Sequence, residues 1–263
     1  MQRSRIIPAA VALATISGLA AASKAQAEIV GEAYGYTVGG ESFEGYVAYN
    51  TNLEASRGTV LIVHDWDGLT DYEMRRAEML AALGYTAFAI DVYGADENPQ
   101  TVDENRALSG ALYADRATFQ ERLLGSIAEA ANIPGATDDM VMMGYCFGGA
   151  AALEAARAGA EIDGFVSFHG GLGLPEGQSY ADVQAPVMLF HGSADPVSGM
   201  ADLAALLDEL QAAGVSHGAE VFGGAKHSFT VFGSGDYDLA ADQGSWAGLQ
   251  AFLDAQLGGA AGS

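Results

Sequence analysis

Residues Met140–Leu153 read MVMMGYCFGGAAAL, and their reading decides the fold. An apolar run stops at Gly144-Tyr145-Cys146-Phe147-Gly148-Gly149, and an alanine-rich stretch follows at once. The pattern predicts strand, sharp turn, helix. Gly144 and Gly148 lie two residues either side of Cys146, where a side chain would clash if the chain reversed tightly. Glycines spaced in this way around a nucleophilic side chain mark a strand-to-helix turn that lifts the nucleophile above a sheet. Cys146 is the single cysteine of the chain, so no internal disulfide forms. The structural alternative is a small buried apolar residue in a tight turn.

On either side of this stretch, strand and helix patterns alternate. Tyr34–Asn50 alternates aromatic and polar residues around Gly39-Gly40, a hairpin signature. Thr59–His64, Tyr85–Val92, Gly164–Phe168 and Pro186–Phe190 are short apolar runs, as expected of strands covered on both faces. Ala219–Phe222 is a further short strand. Helical patterns run from Asp71, which can cap the helix, to about Leu83, and over Val102–Ala131 with interruptions near Gly110 and Gly125. They recur over Phe147–Ala158, Ser198–Ala213 and Leu239–Leu257. No linker or internal repeat divides the chain. The expected fold class is α/β, a single mostly parallel sheet with helices on both faces. In such sheets the chemistry lies beyond the carboxyl ends of the strands.

The bulk numbers narrow the function. The 263 residues are enough for one domain with a full core. With 34 acidic against 11 basic residues, the net charge is −23, spread along the chain without a long acidic run. Such a surface repels nucleic acid and anionic lipid and suits solubility or a salty medium. Residues 1–27 read as a cleavable signal peptide: Arg3 and Arg5, then the apolar stretch Ile6–Ala22, then Ala25-Gln26-Ala27. Cleavage after Ala27 leaves a domain over 28–263, exported, by expectation to a bacterial periplasm and not held in a membrane. A monomer is expected.

Two loops offer partners for Cys146. A thiol nucleophile needs a base in hydrogen-bond reach, and the base needs an orienting acid. Asp195 lies in His191-Gly192-Ser193-Ala194-Asp195-Pro196-Val197, and His227 in Gly223-Gly224-Ala225-Lys226-His227-Ser228-Phe229. Each follows a predicted strand. The chain order is nucleophile, acid, base. A turn aspartate and a surface histidine are the structural alternatives for each loop alone. The helix after the elbow, through its positive end, is expected to lower the thiol pKa. Trp66, Tyr93, Phe147 and Phe229 are candidates for an apolar pocket wall. His64, His169 and His191 each end a strand. No histidine pair has metal-binding spacing, and no metal or other cofactor is expected.

These three stretches resemble the dienelactone hydrolase family, the cysteine-dependent branch of the α/β-hydrolase fold. Phe43-Glu44-Gly45-Tyr46, Gly84-Tyr85 and Asp91-Val92-Tyr93-Gly94 add weaker likeness, and the resemblance covers about Tyr34 to Leu257. It implies a Cys146–His227–Asp195 triad, an ester or lactone substrate and a thioacyl-enzyme intermediate. It implies that the Phe147 and Trp66 backbone N–H groups form the oxyanion hole. Asp65 stands where the family usually has a glutamate that holds the nucleophile at rest, and it is one methylene shorter. Dienelactone hydrolases proper bind the substrate carboxylate through arginines. One of those positions is Val231 here, and Arg106 is the nearest candidate for the other. A neutral or less acidic ester or lactone is therefore the expected small-molecule substrate, with Tyr93 and Phe229 also near it. The competing expectations are a non-catalytic ligand-binding protein on the same fold and an exported redox-active thiol protein.

Overall fold

The computed structural model describes residues 28–258. The signal-peptide reading of residues 1–27 and the last five residues of the 28–263 domain lie outside the described residues. Eight strands form one sheet in the order β1-β2-β4-β3-β5-β6-β7-β8. β1 (Ile29–Val38) and β2 (Glu41–Asn50) form the antiparallel hairpin. Gly39 and Gly40 both take positive φ (59° and 88°), the geometry of a type I′ turn that only glycine-like residues adopt easily. β2 runs antiparallel to β4 (Thr86–Ile90). The remaining pairs are parallel: β4 with β3 (Thr59–Val63), β3 with β5 (Met140–Tyr145), then β6 (Gly164–Phe168), β7 (Val187–Gly192) and β8 (His217–Phe222).

The central strands are apolar at every position because both faces are covered. Val60, Ile62, Val141 and Met143 face a core built with Ala77 and Leu80 of α1 (Asp71–Ala82) and Leu249 and Leu253 of α6 (Leu239–Leu257). The alternate residues Leu61, Val63 and Met142 face the other core. It is filled by Leu112 of α2 (Val102–Ala114), Phe119 and Leu123 of α3 (Arg116–Glu129), Ala152 of α4 (Phe147–Arg157) and Leu206 of α5 (Met200–Ala213).

Two local expectations are corrected. Thr70, not Asp71, caps α1: its hydroxyl accepts from Tyr72 N–H, and Glu73 reaches back to the Thr70 N–H at 2.9 Å, a capping box. The long helical pattern after Val102 breaks at Asp115, not at Gly110 or Gly125. Asp115 ends α2 and caps α3 by accepting from Thr118 N–H at 3.1 Å. Gly125 lies inside α3, and Val38 packs where a side chain there would stand, 2.2 Å from an added Cβ. Among the described residues no helix is long and apolar enough to cross a membrane.

Candidate active site

The chain leaves β3 for β4 on one side, then returns to place β5 on the other. The crevice where strand order reverses thus opens between β3 and β5. Val63 pairs with Gly144 in register, so Asp65 and Cys146, each two residues on, emerge side by side. Close approach needs the two elbow glycines. A Cβ on Gly144 would lie 2.1 Å from the Gly148 carbonyl oxygen, and one on Gly148 would lie 2.1 Å from that of Val63. Cys146 itself holds the strained backbone of such a turn, φ 51° and ψ −108°. The other non-glycine residues with positive φ among those described, His169 and Ser228, also lie in loops at this end of the sheet.

The acid and base loops meet over the end of β7. Gly192 permits this, since a Cβ there would meet the Ala225 carbonyl oxygen at 2.4 Å. Asp195 Oδ2 accepts from His227 Nδ1 at 2.8 Å. Its Oδ1 accepts the backbone N–H groups of Val197 (2.7 Å) and Ser198 (3.1 Å), so the turn role and the orienting role coexist. Burial would raise this carboxyl, but the His227 bond and the two amides outweigh it and hold its pKa below the usual range. The other ring nitrogen, His227 Nε2, is buried without a hydrogen-bond partner among the described residues.

Electrostatics at the thiol reverse one expectation. Burial first, and the Asp65 carboxylate second, push the Cys146 pKa well above that of an ordinary thiol, although the Phe147 N–H acts in the opposite sense. The helix end therefore does not dominate, and the resting group is S–H. Its hydrogen bond goes to Asp65, whose own pKa burial pushes up to about 6. Asp65 Oδ1 also accepts the Trp66 N–H at 2.5 Å. That expected oxyanion donor is thus engaged by Asp65 at rest, while Phe147 N–H faces the thiol.

The residues expected to bind substrate are placed less uniformly. Tyr93 is buried against His64 and Phe147, and its hydroxyl donates to the Trp66 carbonyl at 2.9 Å, bracing the Asp65 loop. Phe147 stacks on Phe119 in the core. Phe229 is fully buried behind His227, in core contact with His169 and Phe222, and walls no pocket. Val231 is half-buried in a turn closed onto Ser228. Arg106 is largely exposed and paired with Asp103 one helical turn away. A cavity of about 430 Å³ opens instead beside the elbow, lined by Tyr113, Arg116, Ala150, Arg157, Leu172 and Val197 among others. Arg116, which the sequence pattern did not single out, lies over the Tyr113 ring and pairs with the buried Glu154 at 2.8 Å. Arg157 pairs with the same carboxylate at 2.9 Å. The one signal for Arg116 was position: a cation opening a helix, where the macrodipole disfavours positive charge. His64 and His191 are buried and bonded to backbone groups, which is packing. Among the described residues no cluster of three or more His, Cys, Asp or Glu side chains could hold a metal ion.

A mostly parallel sheet covered on both faces, with a strained cysteine elbow at its switch point and an Asp–His pair from the last two strand ends, defines an α/β hydrolase. The family model of the dienelactone hydrolase family matches residues 43–257, and the chain belongs to that family. Among solved structures, it is 28% identical to a dienelactone hydrolase-like promiscuous phosphotriesterase from metagenomic libraries, covering 88% of this chain and 99% of that one at a TM-score of 0.81. A protein described as m3DLH shares 28% identity over 87% of this chain and 98% of its own, with a TM-score of 0.80. The dienelactone hydrolase of Anabaena variabilis shares the fold at 21% identity, 86% and 97% coverage and a TM-score of 0.62. No protein of curated function matches the chain.

Proposed function

We propose that the protein hydrolyses a carboxylic ester or lactone through Cys146, His227 and Asp195. One observation carries this reading. The Asp195 bond to His227 Nδ1 leaves Nε2 buried and unpartnered among the described residues, and His227 and the Cys146 thiol both act on the same carboxylate, Asp65. Substrate entry turns Asp65 away, which frees the Trp66 N–H. His227 takes the thiol proton, and the sulfur attacks the carbonyl carbon. The Phe147 and Trp66 N–H groups hold the resulting oxyanion, an arrangement in which one donor is worth about a hundred- to a thousand-fold in rate. Collapse breaks the carbon–oxygen bond, and His227 returns the proton to the leaving alcohol. A water that loses its proton to His227 then cleaves the thioester, releasing the acid and restoring the S–H.

The cavity beside the elbow supports an amphipathic substrate. Arg116 supplies a cation there, from a position other than Val231 or Arg106, so a carboxylate-bearing lactone is compatible with the site. A panel of p-nitrophenyl esters, neutral and carboxylated lactones and an aryl phosphotriester tests the reading with wild type and Cys146→Ala. Phosphotriesters belong in it because the metagenomic relative is a promiscuous phosphotriesterase. Turnover abolished by Cys146→Ala is expected. A wild type that binds such compounds but turns none over would favour the binding-protein reading instead.

A further inference from the structure

Behind the Asp195–His227 pair lies a second histidine that the chemistry does not call for. His169 follows β6, with its backbone N–H bonded to the Phe190 carbonyl at 2.8 Å and a positive φ of 39°. Its ring is fully buried and meets the His227 ring edge to face, centroids 5.3 Å apart. Nδ1 has no hydrogen-bond partner among the described residues, whereas Nε2 lies 2.8 Å from Thr230 Oγ1. Thr230 is buried and sits three residues beyond His227 in the same loop. Two elements clamp it. Its hydroxyl is 2.7 Å from the Tyr72 hydroxyl, and its carbonyl accepts from Arg76 Nη2 at 2.9 Å, both from α1.

Arg76 is the anchor of this chain of contacts. It is 1% exposed, ion-paired with Asp242 of α6, and donates its Nε to the Tyr72 hydroxyl at 3.3 Å. The rings of Tyr72, Phe232 and Trp246 surround its guanidinium at 4.5 to 5.2 Å. Tyr72 packs edge-on against Tyr145, the residue before the nucleophile, at 5.0 Å. A loop held only by its own turn bonds would leave the base free to drift, and a misplacement of about 1 Å can cost a hundred-fold in rate. Burial, and then the neighbouring His227, keep His169 neutral, so it adds no charge beside the imidazolium that His227 becomes.

We propose that Thr230, braced by Tyr72 and Arg76, is a positioning residue whose hydroxyl holds His169 against His227 and keeps the base aligned with the thiol. The proposal rests on the reading of His227 as the base. Thr230→Val removes the hydroxyl at nearly constant volume, Thr230→Ser keeps it, and Tyr72→Phe removes the support one link back should the valine variant fail to fold. Thr230→Val should lower kcat about ten- to a hundred-fold with KM little changed. Thr230→Ser should recover most of that rate, and Tyr72→Phe should fall between. In protein labelled with 15N-histidine, the hydrogen-bonded Nδ1–H resonance of His227 should move or broaden in Thr230→Val and Tyr72→Phe and return in Thr230→Ser. Wild-type kcat and an unmoved resonance in Thr230→Val overturn the proposal, as does a serine variant as impaired as the valine one. A wild type inactive on every ester counts against the hydrolase reading, and the resonance then decides the role of Thr230 by itself.

Discussion

Asp65 has two partners that the proposed reaction needs elsewhere, the Cys146 S–H and the Trp66 N–H. Asp65→Asn removes the negative charge that, after burial, does most to hold the thiol protonated. The thiol pKa should fall, and iodoacetamide should alkylate Cys146 faster at pH 7, with the alkylation profile displaced to lower pH. An unchanged rate would mean that burial alone sets the thiol. The same group bears on stability. Burial raises its carboxyl to about 6 in the folded state, against about 3.9 for an ordinary aspartate, so the folded state binds the proton more tightly across that window. Stability therefore falls as pH rises from about 4 to 6 and stays lost above it, by on the order of 3 kcal/mol for a shift of this size. Urea titrations at pH 5 and pH 8 should show Asp65→Asn stabilised relative to wild type at pH 8 and losing less stability than wild type between the two pH values. Arg116→Leu concerns the substrate. It should raise KM for a carboxylate-bearing lactone roughly tenfold, about 1.4 kcal/mol, and leave a neutral ester unaffected; equal effects on both would remove Arg116 from recognition.

At the scale of elements, the elbow is a matter of clearance. An alanine at Gly148 would set its Cβ 2.1 Å from a backbone oxygen of β3, which no side-chain movement relieves. Gly148→Ala should lower the melting temperature and displace the nucleophile, costing activity as well. Gly110, inside α2, has nothing within 4 Å of an added Cβ, so Gly110→Ala should be neutral or stabilise by about 0.5–1 kcal/mol. Thermal melts of the two variants make the comparison. This contrast was half legible in the sequence. The spacing of Gly144 and Gly148 around Cys146 announced tight approach, and the strand β3 contacts them as that spacing requires. At Gly110 and Gly125 the same residue type suggested breaks that do not form. A glycine is costly inside a helix but does not end one, and at Gly125 the space is taken by Val38 from the hairpin. The real break came from Asp115, whose side chain caps the next helix.

Across the whole molecule, helices from both ends of the chain support the site. Arg76 of α1 and Asp242 of α6 are 166 residues apart and form a buried ion pair. Arg76→Met leaves the buried Asp242 carboxylate, among the described residues, with the Tyr237 hydroxyl as its remaining side-chain partner, at 3.0 Å. Breaking one side of such a pair typically costs about 3–5 kcal/mol, so the midpoint of guanidinium unfolding should fall accordingly. A loss under about 1 kcal/mol would show that water or rearrangement compensates the carboxylate.

Local pattern was enough to predict most of the elements, the mostly parallel sheet, and Cys146, Asp195 and His227 as candidate nucleophile, acid and base in order. Each of these depends on short-range rules: apolar periodicity, glycine clearance and polar residues at strand ends. Only the tertiary structure decided what surrounds Cys146. Thiol acidity is set by burial and by Asp65 across a strand pair, so the helix end near the thiol gave the wrong sign for its shift. Of the two arginines that line the cavity, Arg116 comes from a helix whose approach to the elbow no spacing encodes. The bracing of His227 through Thr230, Tyr72 and Arg76 joins residues more than 150 positions apart, a proximity that exists only once the sheet is assembled.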